Sequence, residues 1–352
     1  MPQKLIHQDL LFPAEPGVRA IARGLYERVA NLPIVSPHGH TDPRWYALNE
    51  PFPDPARLLI VPDHYIYRML FSQGVRLEDL GVPCLDGTPV ETDGRTIWRR
   101  FAEHYHLFRG TPTRLWFDYV LQNLFGIAEP LTTGTADGHY DRVAGCLAED
   151  GFRPRALFER FNIEVIATTE GPLDDLKWHA MIRDSGWKGR VVTAYRPDSV
   201  IDPDFDGFAK NLDMLGEITG CDTGAWNGYL EAHRRRRGYF KTFGATSTDH
   251  GHSTADTANL STAEAASLFD IRHLHHTDRA ERRIRGQEHH RTGVGGRAVG
   301  VADGDVGRVA VADQEDVGVT DGERVVHRDP AVAFLCSRAG SVGQVGLELP
   351  GH

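Results

Sequence analysis

Two histidines separated by one glycine follow a short apolar run in the segment VSPHGHTDPRWY, at positions 35–46. Alternation along an extended backbone would put His38 and His40 on the same face, so that both imidazoles reach one point. Neutral imidazole is a good ligand for zinc and other divalent ions. The spacing therefore predicts a metal site with His38 and His40 as ligands. The alternative is a pair of polar loop histidines, because short motifs often match by chance.

A second polar cluster, TSTDHGH, follows a later apolar run and contains Asp249, His250 and His252. If both runs are strands of a parallel barrel, their carboxyl ends meet at one rim, and that rim carries the chemistry. Two such clusters at two strand ends favour a common site. The alternative for the second cluster is an Asx turn with solvated histidines.

Two further predicted strands also end in polar groups. The stretch AYRPD places Arg196 just past a strand, where a guanidinium can clamp a carboxylate or a phosphate with two hydrogen bonds. The stretch ATTEGP places Thr169 and Glu170 at another strand end. The alternatives are a surface arginine before a proline turn and, for Glu170, an acid at the start of the next helix.

The segment PDHYIYRML brings Asp63, His64, Tyr65 and Arg68 close together in sequence. Their proximity makes them candidates for a functional site. The alternative is structural: Asp63 caps a helix and Arg68 pairs with it.

Four apolar runs are predicted as strands, and they are continuous rather than alternating, as in strands covered on both faces. They are NLPIVSPHGH, FNIEVIATTEGP, GRVVTAYRPD and GYFKTFGATSTDHGH. Helical patterns lie between them, in PLDDLKWHAMIRDSG and at 204–237, where the arginines at 234–237 are interpreted as a solvated helix end. The alternation of strand and helix predicts a parallel sheet.

The chain divides into four segments by composition. Residues 1–40 carry the first strand, and 41–160 form an aromatic-rich helical subdomain, because that stretch is too long for a loop between a strand and a helix. Residues 161–270 hold the other strands. The tail, 271–352, has thirteen glycines, thirteen valines and no tryptophan or tyrosine, and it shows no lasting apolar period.

Charge and cysteine usage exclude several classes of function. The net charge is −10, and no basic stripe interleaved with aromatics is present, which argues against nucleic acid as a partner. No apolar run approaches the ~18 residues of a membrane span, and the first residues show no signal peptide. The four cysteines are scattered, which predicts a reduced, cytoplasmic setting. A homo-oligomer is compatible with the sequence.

The motifs PHGH, DHYIYRML, ATTEGP, AYRPD and STDHGH, in this order over about residues 5–268, resemble the uronate isomerase family of amidohydrolase-type TIM barrels. The resemblance implies an α/β fold, a (β/α)₈ barrel with a helical subdomain inserted after the first strand. It also implies an aldose–ketose isomerase that interconverts D-glucuronate with D-fructuronate and D-galacturonate with D-tagaturonate. The implied roles are metal ligation, with zinc preferred, by His38 and His40; substrate binding by Arg196, Arg68 and Thr169; and catalysis by Tyr65, Asp249 and His250.

The tail departs from the family pattern. The resemblance implies further barrel strands after residue 270, one with a histidine in an HPG-like context and the last with an aspartate metal ligand followed closely by an arginine, and no such strand pattern is found there. Four strand candidates cannot close a barrel of eight, so the barrel is predicted to be incomplete. One hypothesis is a shift of reading frame near 268–272, since out-of-frame GC-rich DNA encodes Arg, Gly, Val, Ala, Asp and His. The rival is a natural Gly/Val-rich or disordered extension.

Two alternatives to an active isomerase remain open from the sequence. One is a non-catalytic remnant that binds a metal or a sugar acid. The other is a metal-dependent hydrolase of the same superfamily, against which DHYIYRML and AYRPD both argue.

Overall fold

The computed structural model of the chain describes residues 5–84, 87–203, 205–251 and 259–270. The atypical tail, 271–352, lies outside the described residues, as does His252. By their contacts the residues divide into two units, which are described separately here. The first contains Met1–Thr168 and Lys177–Val192, and the second contains Thr169–Leu176 and the described residues from Thr193 onward.

The first unit begins with helix α1 (Pro16–Val29) and strand β1 (Ile34–Ser36). Strand β1 pairs in parallel with β2 (Ile163–Glu170), so that Ile34 lies opposite Ile163 and Ser36 opposite Ile166. Both strands are rich in β-branched residues and bury most of their side chains, as strands covered on both faces do. The first two predicted strands are therefore confirmed.

Between β1 and β2, the described residues form helices and short 3-10 turns but no strand. The helices are α2 (Pro43–Leu48), α3 (Pro55–Leu59), α4 (His64–Ser72), α5 (Gly94–Glu103), α6 (Pro112–Asn123), α7 (Ala136–Leu147) and α8 (Pro154–Arg160). Several begin with a proline after an aspartate or threonine cap, which fixes the backbone angle and satisfies free amide groups. That this region is an inserted subdomain stays a prediction.

Aromatic side chains form the core of this helical region. Trp98 and Phe101 of α5 are fully buried, and Phe101 lies 4.9 Å from Phe117 of α6, measured between ring centroids. The two polar atoms of the aromatic core are satisfied: Trp98 Nε1 donates to the Ala136 carbonyl at 3.0 Å, and the Tyr105 hydroxyl donates to Asp118 at 2.8 Å. These two buried polar atoms are therefore paired, as buried polar groups usually are.

Helix α9 (Lys177–Asp184) buries a histidine against β2 in the first unit. His179 is 3% exposed, and its Nε2 lies 2.9 Å from the Thr168 hydroxyl. Burial lowers the pKa of His179 to about 4, because the charged imidazolium is poorly solvated there. His179 is therefore neutral at pH 7.

This burial predicts sensitivity of the fold to acid. Below pH ~6.5 His179 becomes protonated in the unfolded chain, whereas in the folded chain it stays neutral down to about pH 4. The free energy of unfolding therefore falls by up to about 1.4 kcal/mol per pH unit between these two values. Replacing His179 by glutamine keeps a hydrogen bond to Thr168 and removes the titration. Urea unfolding between pH 7.5 and 5 should show a shallower loss in this variant. The matched control His106→Gln, at an exposed histidine, should keep the parent slope, and equal slopes in all three proteins would refute the assignment.

The second unit contains the carboxyl ends of β2 and β3 (Arg190–Tyr195), two strands that contribute residues to both units. The sheet order is β1-β2-β3. The backbone N–H of Arg196 donates to the carbonyl of Glu170 at 2.9 Å, so β2 and β3 end side by side and run parallel. The third predicted strand and the α/β class with a parallel sheet are confirmed.

The fourth predicted strand is wrong for most of its length. After α10 (Asp198–Ile201) and α11 (Phe208–Thr219), helix α12 (Trp226–Lys241) includes the residues GYFK. Phe240 is fully buried on this helix and contacts the Tyr195 ring edge-on at 5.0 Å, so packing decides for the helix over the strand-like composition. Only Thr248 pairs with Tyr195, as a single parallel bridge. Among the described residues the sheet is not closed into a barrel.

Two predictions about helices are also corrected, one about where α9 begins and one about the arginines of α12. The helix predicted from Pro172 begins only at Lys177, because Leu176 adopts φ +54° and its N–H is held by the Asp174 carboxylate at 2.6 Å. Arg236 is 7% exposed rather than solvated, and its guanidinium donates to the carbonyls of Pro172 at 2.6 Å and Asp174 at 2.7 Å. This arginine anchors the loop that follows β2.

Loss of that anchor should destabilise the protein strongly. The variant Arg236→Met keeps much of the side-chain volume but leaves two carbonyls unpaired, and we expect it to lower the free energy of unfolding by about 2–4 kcal/mol. The matched control is Arg234→Met on the exposed side of the same helix, with an expected change within about 0.5 kcal/mol. Chemical denaturation of both variants tests this, and equal effects would contradict a special role for Arg236.

Candidate active site

The two histidines of the first cluster lie just beyond β1, in the first unit. The strand ends at Ser36, so strand alternation is not what brings the side chains together. The Ser36 hydroxyl donates to the His38 carbonyl at 3.3 Å, and the rings of His38 and His40 approach to 4.8 Å between centroids at an interplanar angle of 86°. Two imidazoles this close suit a shared divalent ion, for which nitrogen donors are common ligands.

The second unit presents a charge cluster at the end of β3. Arg196 lies between two carboxylates: its Nε donates to Asp198 Oδ2 at 2.6 Å and its Nη1 donates to Asp249 Oδ2 at 3.1 Å. Asp198 accepts a further hydrogen bond, at its Oδ1, from the Gly251 N–H at 2.9 Å. The arrangement fixes the guanidinium at the strand end.

The segment that carries Asp249 runs beside β3 for three residues. The Tyr195 N–H donates to the Ser247 carbonyl at 3.2 Å, and the Asp249 N–H donates to the Tyr195 carbonyl at 3.0 Å. Asp249 and His250 are half-buried there. The structure thus brings Arg196 and Asp249 together although 53 residues separate them.

A buried pair fixes the residue before Arg196. The Tyr195 hydroxyl lies 2.7 Å from Nδ1 of His233 on α12. Burial lowers the pKa of His233 to about 3 and raises the pKa of Tyr195 far above its ordinary value, so both groups are neutral. A neutral imidazole that carries its proton at Nε2 can accept a hydrogen bond from the tyrosine hydroxyl at Nδ1. This hydrogen bond holds the end of β3 in place.

The end of β2 carries a buried acid. Glu170 is 7% exposed and accepts a hydrogen bond from the Thr193 hydroxyl within the second unit. Since α9 begins only at Lys177, Glu170 is not an acid at its first turn. Thr169 precedes it and is half-buried.

The helical motif has a structural component. The Asp63 carboxylate caps α4 by accepting from the N–H of Tyr65 at 2.8 Å and of Ile66 at 3.3 Å, which confirms the capping alternative for that residue. Tyr65 is 44% exposed and its ring lies 4.2 Å from that of His64. Arg68 is exposed and lies three residues after Tyr65, on the same side of the helix.

Sequence reasoning missed Asp198, Thr193 and His233. Asp198 had a usable signal, because it follows Arg196 by two residues in the motif RPD. His233 gave none: it lies in a polar helical stretch, and only the packed structure shows that it is buried.

In open parallel α/β sheets, ligands commonly bind beyond the carboxyl ends of the strands, which is where these polar and charged side chains lie. The sequence model of the glucuronate isomerase family matches residues 4–287, and the chain belongs to that family. The match begins where the resemblance predicted and extends somewhat past residue 268.

Individual relatives of the chain carry the name of the same family. The chain is similar to uronate isomerases of Mesorhizobium japonicum, with 74% identity, and Rhizobium meliloti, with 71% identity. Each comparison spans 280 residues, which is 80% of this chain and 60% of the relative. The chain therefore spans only about 60% of the length of these relatives.

Two solved structures are similar over a slightly smaller part of the chain. The crystal structure of glucuronate isomerase from Caulobacter crescentus superposes with a TM-score of 0.73 at 53% identity, covering 76% of this chain and 56% of that one. The uronate isomerase structure from Thermotoga maritima, with a TM-score of 0.66 at 24% identity and the same coverage, supports the fold alone. No helix in the described part of the chain is long and apolar enough to cross a membrane.

Proposed function

We propose that this chain carries the site of a uronate isomerase, acting on D-glucuronate and D-galacturonate, within a (β/α)₈ barrel that includes β1, β2 and β3. The observation that carries the proposal is the guanidinium of Arg196, which the structure holds beside Asp249 at the end of a parallel strand. The high identity to uronate isomerases supports it. Because the chain spans only part of those relatives, the activity itself is a proposal.

The substrate is recognised first by its carboxylate. The planar guanidinium of Arg196 has a donor geometry that matches a carboxylate better than a sugar hydroxyl. We assign Thr169 and Arg68 to the sugar hydroxyls. Clamping the carboxylate at one end of an open-chain uronate fixes the distance to the reacting carbons at the other end, which lowers the entropic part of the barrier.

His38 and His40 are the proposed ligands of a divalent ion, with zinc preferred. The donor set fits, since two imidazoles lie 4.8 Å apart between ring centroids and both can present a nitrogen to one ion. Such an ion, when bound, polarises a substrate oxygen and stabilises negative charge on it.

Isomerisation moves a proton from C2 to C1 and the hydroxyl proton from O2 to O1, through an enediol. The groups we assign to these transfers are Tyr65, Asp249 and His250. Asp249 offers a carboxylate that can accept a proton directly, whereas a tyrosine base needs a nearby cation to lower its pKa from ~10. His250 offers an imidazole that can return a proton.

We also propose a cellular location and a class of partner. We place the protein in the cytoplasm, because Cys84, Cys146 and Cys221, the cysteines that the structure describes, are thiols rather than disulfides. The partner is a small uronate, without nucleic acid or membrane, and a homo-oligomer is compatible with the fold.

The test is the formation of ketose from D-glucuronate, followed by proton NMR in the presence of zinc, manganese, cobalt or magnesium. Conversion should depend on the chain, and D-glucose, which lacks the carboxylate, should not be converted. In Arg196→Met we expect a KM at least about 10-fold higher, since a charge-assisted clamp is lost. Equal use of D-glucose and D-glucuronate would refute the proposed clamp.

A further inference from the structure

The Arg196 guanidinium is already engaged by two carboxylates within its own unit. Asp198 takes the Nε edge at 2.6 Å, and Asp249 takes Nη1 at 3.1 Å. The three side chains are partly buried, with 29% of Arg196, 16% of Asp198 and 17% of Asp249 exposed. A ligand carboxylate that binds this arginine must therefore take a place next to one of these acids or replace it.

The two acids are held differently. Asp198 is tied at both oxygens, to Arg196 through Oδ2 and to the Gly251 N–H through Oδ1. A Cβ at Gly251 would lie 3.0 Å from both Arg196 Nη2 and Asp198 Oδ2, so the glycine backbone closes tightly over that side of the guanidinium. Nη1 is the nitrogen that Asp249 takes, and its contact is the longer of the two. By length, the contact of Asp249 with Nη1 is the weaker of these two contacts with Arg196.

We propose that the Asp249 carboxylate occupies on Arg196 the place of the ligand's carboxylate, and that a uronate displaces it while Asp198 keeps the guanidinium in position. This inference rests on the proposed function, because it assumes that the ligand is a sugar acid. Asp249 is then an internal competitor. It is released from Arg196 only when a carboxylated ligand has bound.

The exchange has a consequence for specificity. A sugar without a carboxylate cannot replace Asp249, so the aspartate stays paired and is not available to the rest of the site. A uronate exchanges one carboxylate for another on Arg196, so the guanidinium keeps two carboxylate partners throughout the exchange. Discrimination between uronates and neutral sugars is thus coupled to the release of an acid.

The test is the affinity of the whole chain for D-glucuronate, measured by titration calorimetry, in the parent and in Asp249→Asn. Removing the competing charge should lower Kd by about 10-fold, the effect of one charge-assisted hydrogen bond. The matched control Asp137→Asn removes the same charge from the surface pair of Asp137 with Arg99 and should leave Kd unchanged. Binding of D-glucose should respond to neither substitution.

Each outcome of this titration supports or overturns the proposed displacement of Asp249 from Arg196. Unchanged or weaker binding in a folded Asp249→Asn would overturn the inference, as would failure of both parent and variant to bind D-glucuronate. If Asp249→Asn does not fold, Asp249→Ser replaces it, and arginine NMR of the parent provides a second measurement. There D-glucuronate should shift the Arg196 Nη signals and leave the Nε–H signal, bonded to Asp198, in place; the reverse pattern would overturn the inference. Ketose formation is assayed separately from this titration. Tighter binding in Asp249→Asn without ketose formation by the parent would contradict only the proposed function, and ketose formation by the parent without tighter binding in Asp249→Asn would contradict only the inference.

Discussion

Replacement of residues 271–352 by the corresponding part of the Mesorhizobium japonicum relative is expected to raise kcat/KM for D-glucuronate by at least about 100-fold, the typical effect of regaining one preorganised group. The chain as it stands matches only 60% of that relative, and the strand pattern on which the family resemblance implies a late aspartate and a partner arginine is not found after residue 270. Losses of groups that act as a unit are not additive, so one missing member already costs most of the rate.

The comparison needs a control for folding. The chimera with Arg196→Met should lose most of the gained activity through KM, which ties the gain to the proposed site rather than to stability. Equal kcat/KM in the parent chain and the chimera would contradict the claim that the missing part carries essential chemistry. Translation of the gene in its other two frames after Phe269 tests the frameshift hypothesis separately, and recovery of family-like strands there is the expected result.

The second large effect concerns the metal. The double variant His38→Ala/His40→Ala is expected to fall from about one bound divalent ion per chain to nearly none in elemental analysis, because two ligands of a four-coordinate site are removed. In the chimera, turnover should fall by about 10²–10³-fold, as for other lost preorganised charge stabilisers.

The chain contains a matched control with the same spacing. His104 and His106 are also separated by one residue, but each Nδ1 lies near a helix carbonyl, that of Arg100 at 2.8 Å and of Glu103 at 3.2 Å. The double variant His104→Ala/His106→Ala should keep its metal. Loss of metal in this control, or retention in the first variant, would place the ion elsewhere.

These two pairs show what spacing alone can predict. His38/His40 and His104/His106 share the HxH pattern, and of these two pairs the structure gives a close ring contact, 4.8 Å between centroids, for the one that follows a buried strand. Strands β1, β2 and β3 were predictable because continuous runs of β-branched residues leave few alternatives. The run GYFK was misassigned, because its aromatics suit either a strand or a buried helix face and only the contact with Tyr195 decides.

The charge cluster could be predicted only in part. Arg196 was found because it follows a strand, but its pairing with Asp249 depends on a bridge between Tyr195 and Thr248 that no local pattern encodes. The burial of Arg236 was missed for a related reason. Four consecutive arginines suggest a solvated surface, and the helix turns one of them toward the carbonyls of Pro172 and Asp174.

The most direct test of a metal-dependent isomerase site at His38 and His40 is to measure activity as metal is added. Metal-free chimera is mixed with increasing zinc or manganese, and bound metal and conversion of D-glucuronate to D-fructuronate are measured on the same samples. We expect activity to rise in proportion to bound metal, to saturate near one ion per chain, and to be absent in His38→Ala/His40→Ala. Full activity without metal, or metal bound through His38 and His40 without any ketose formed, would contradict it.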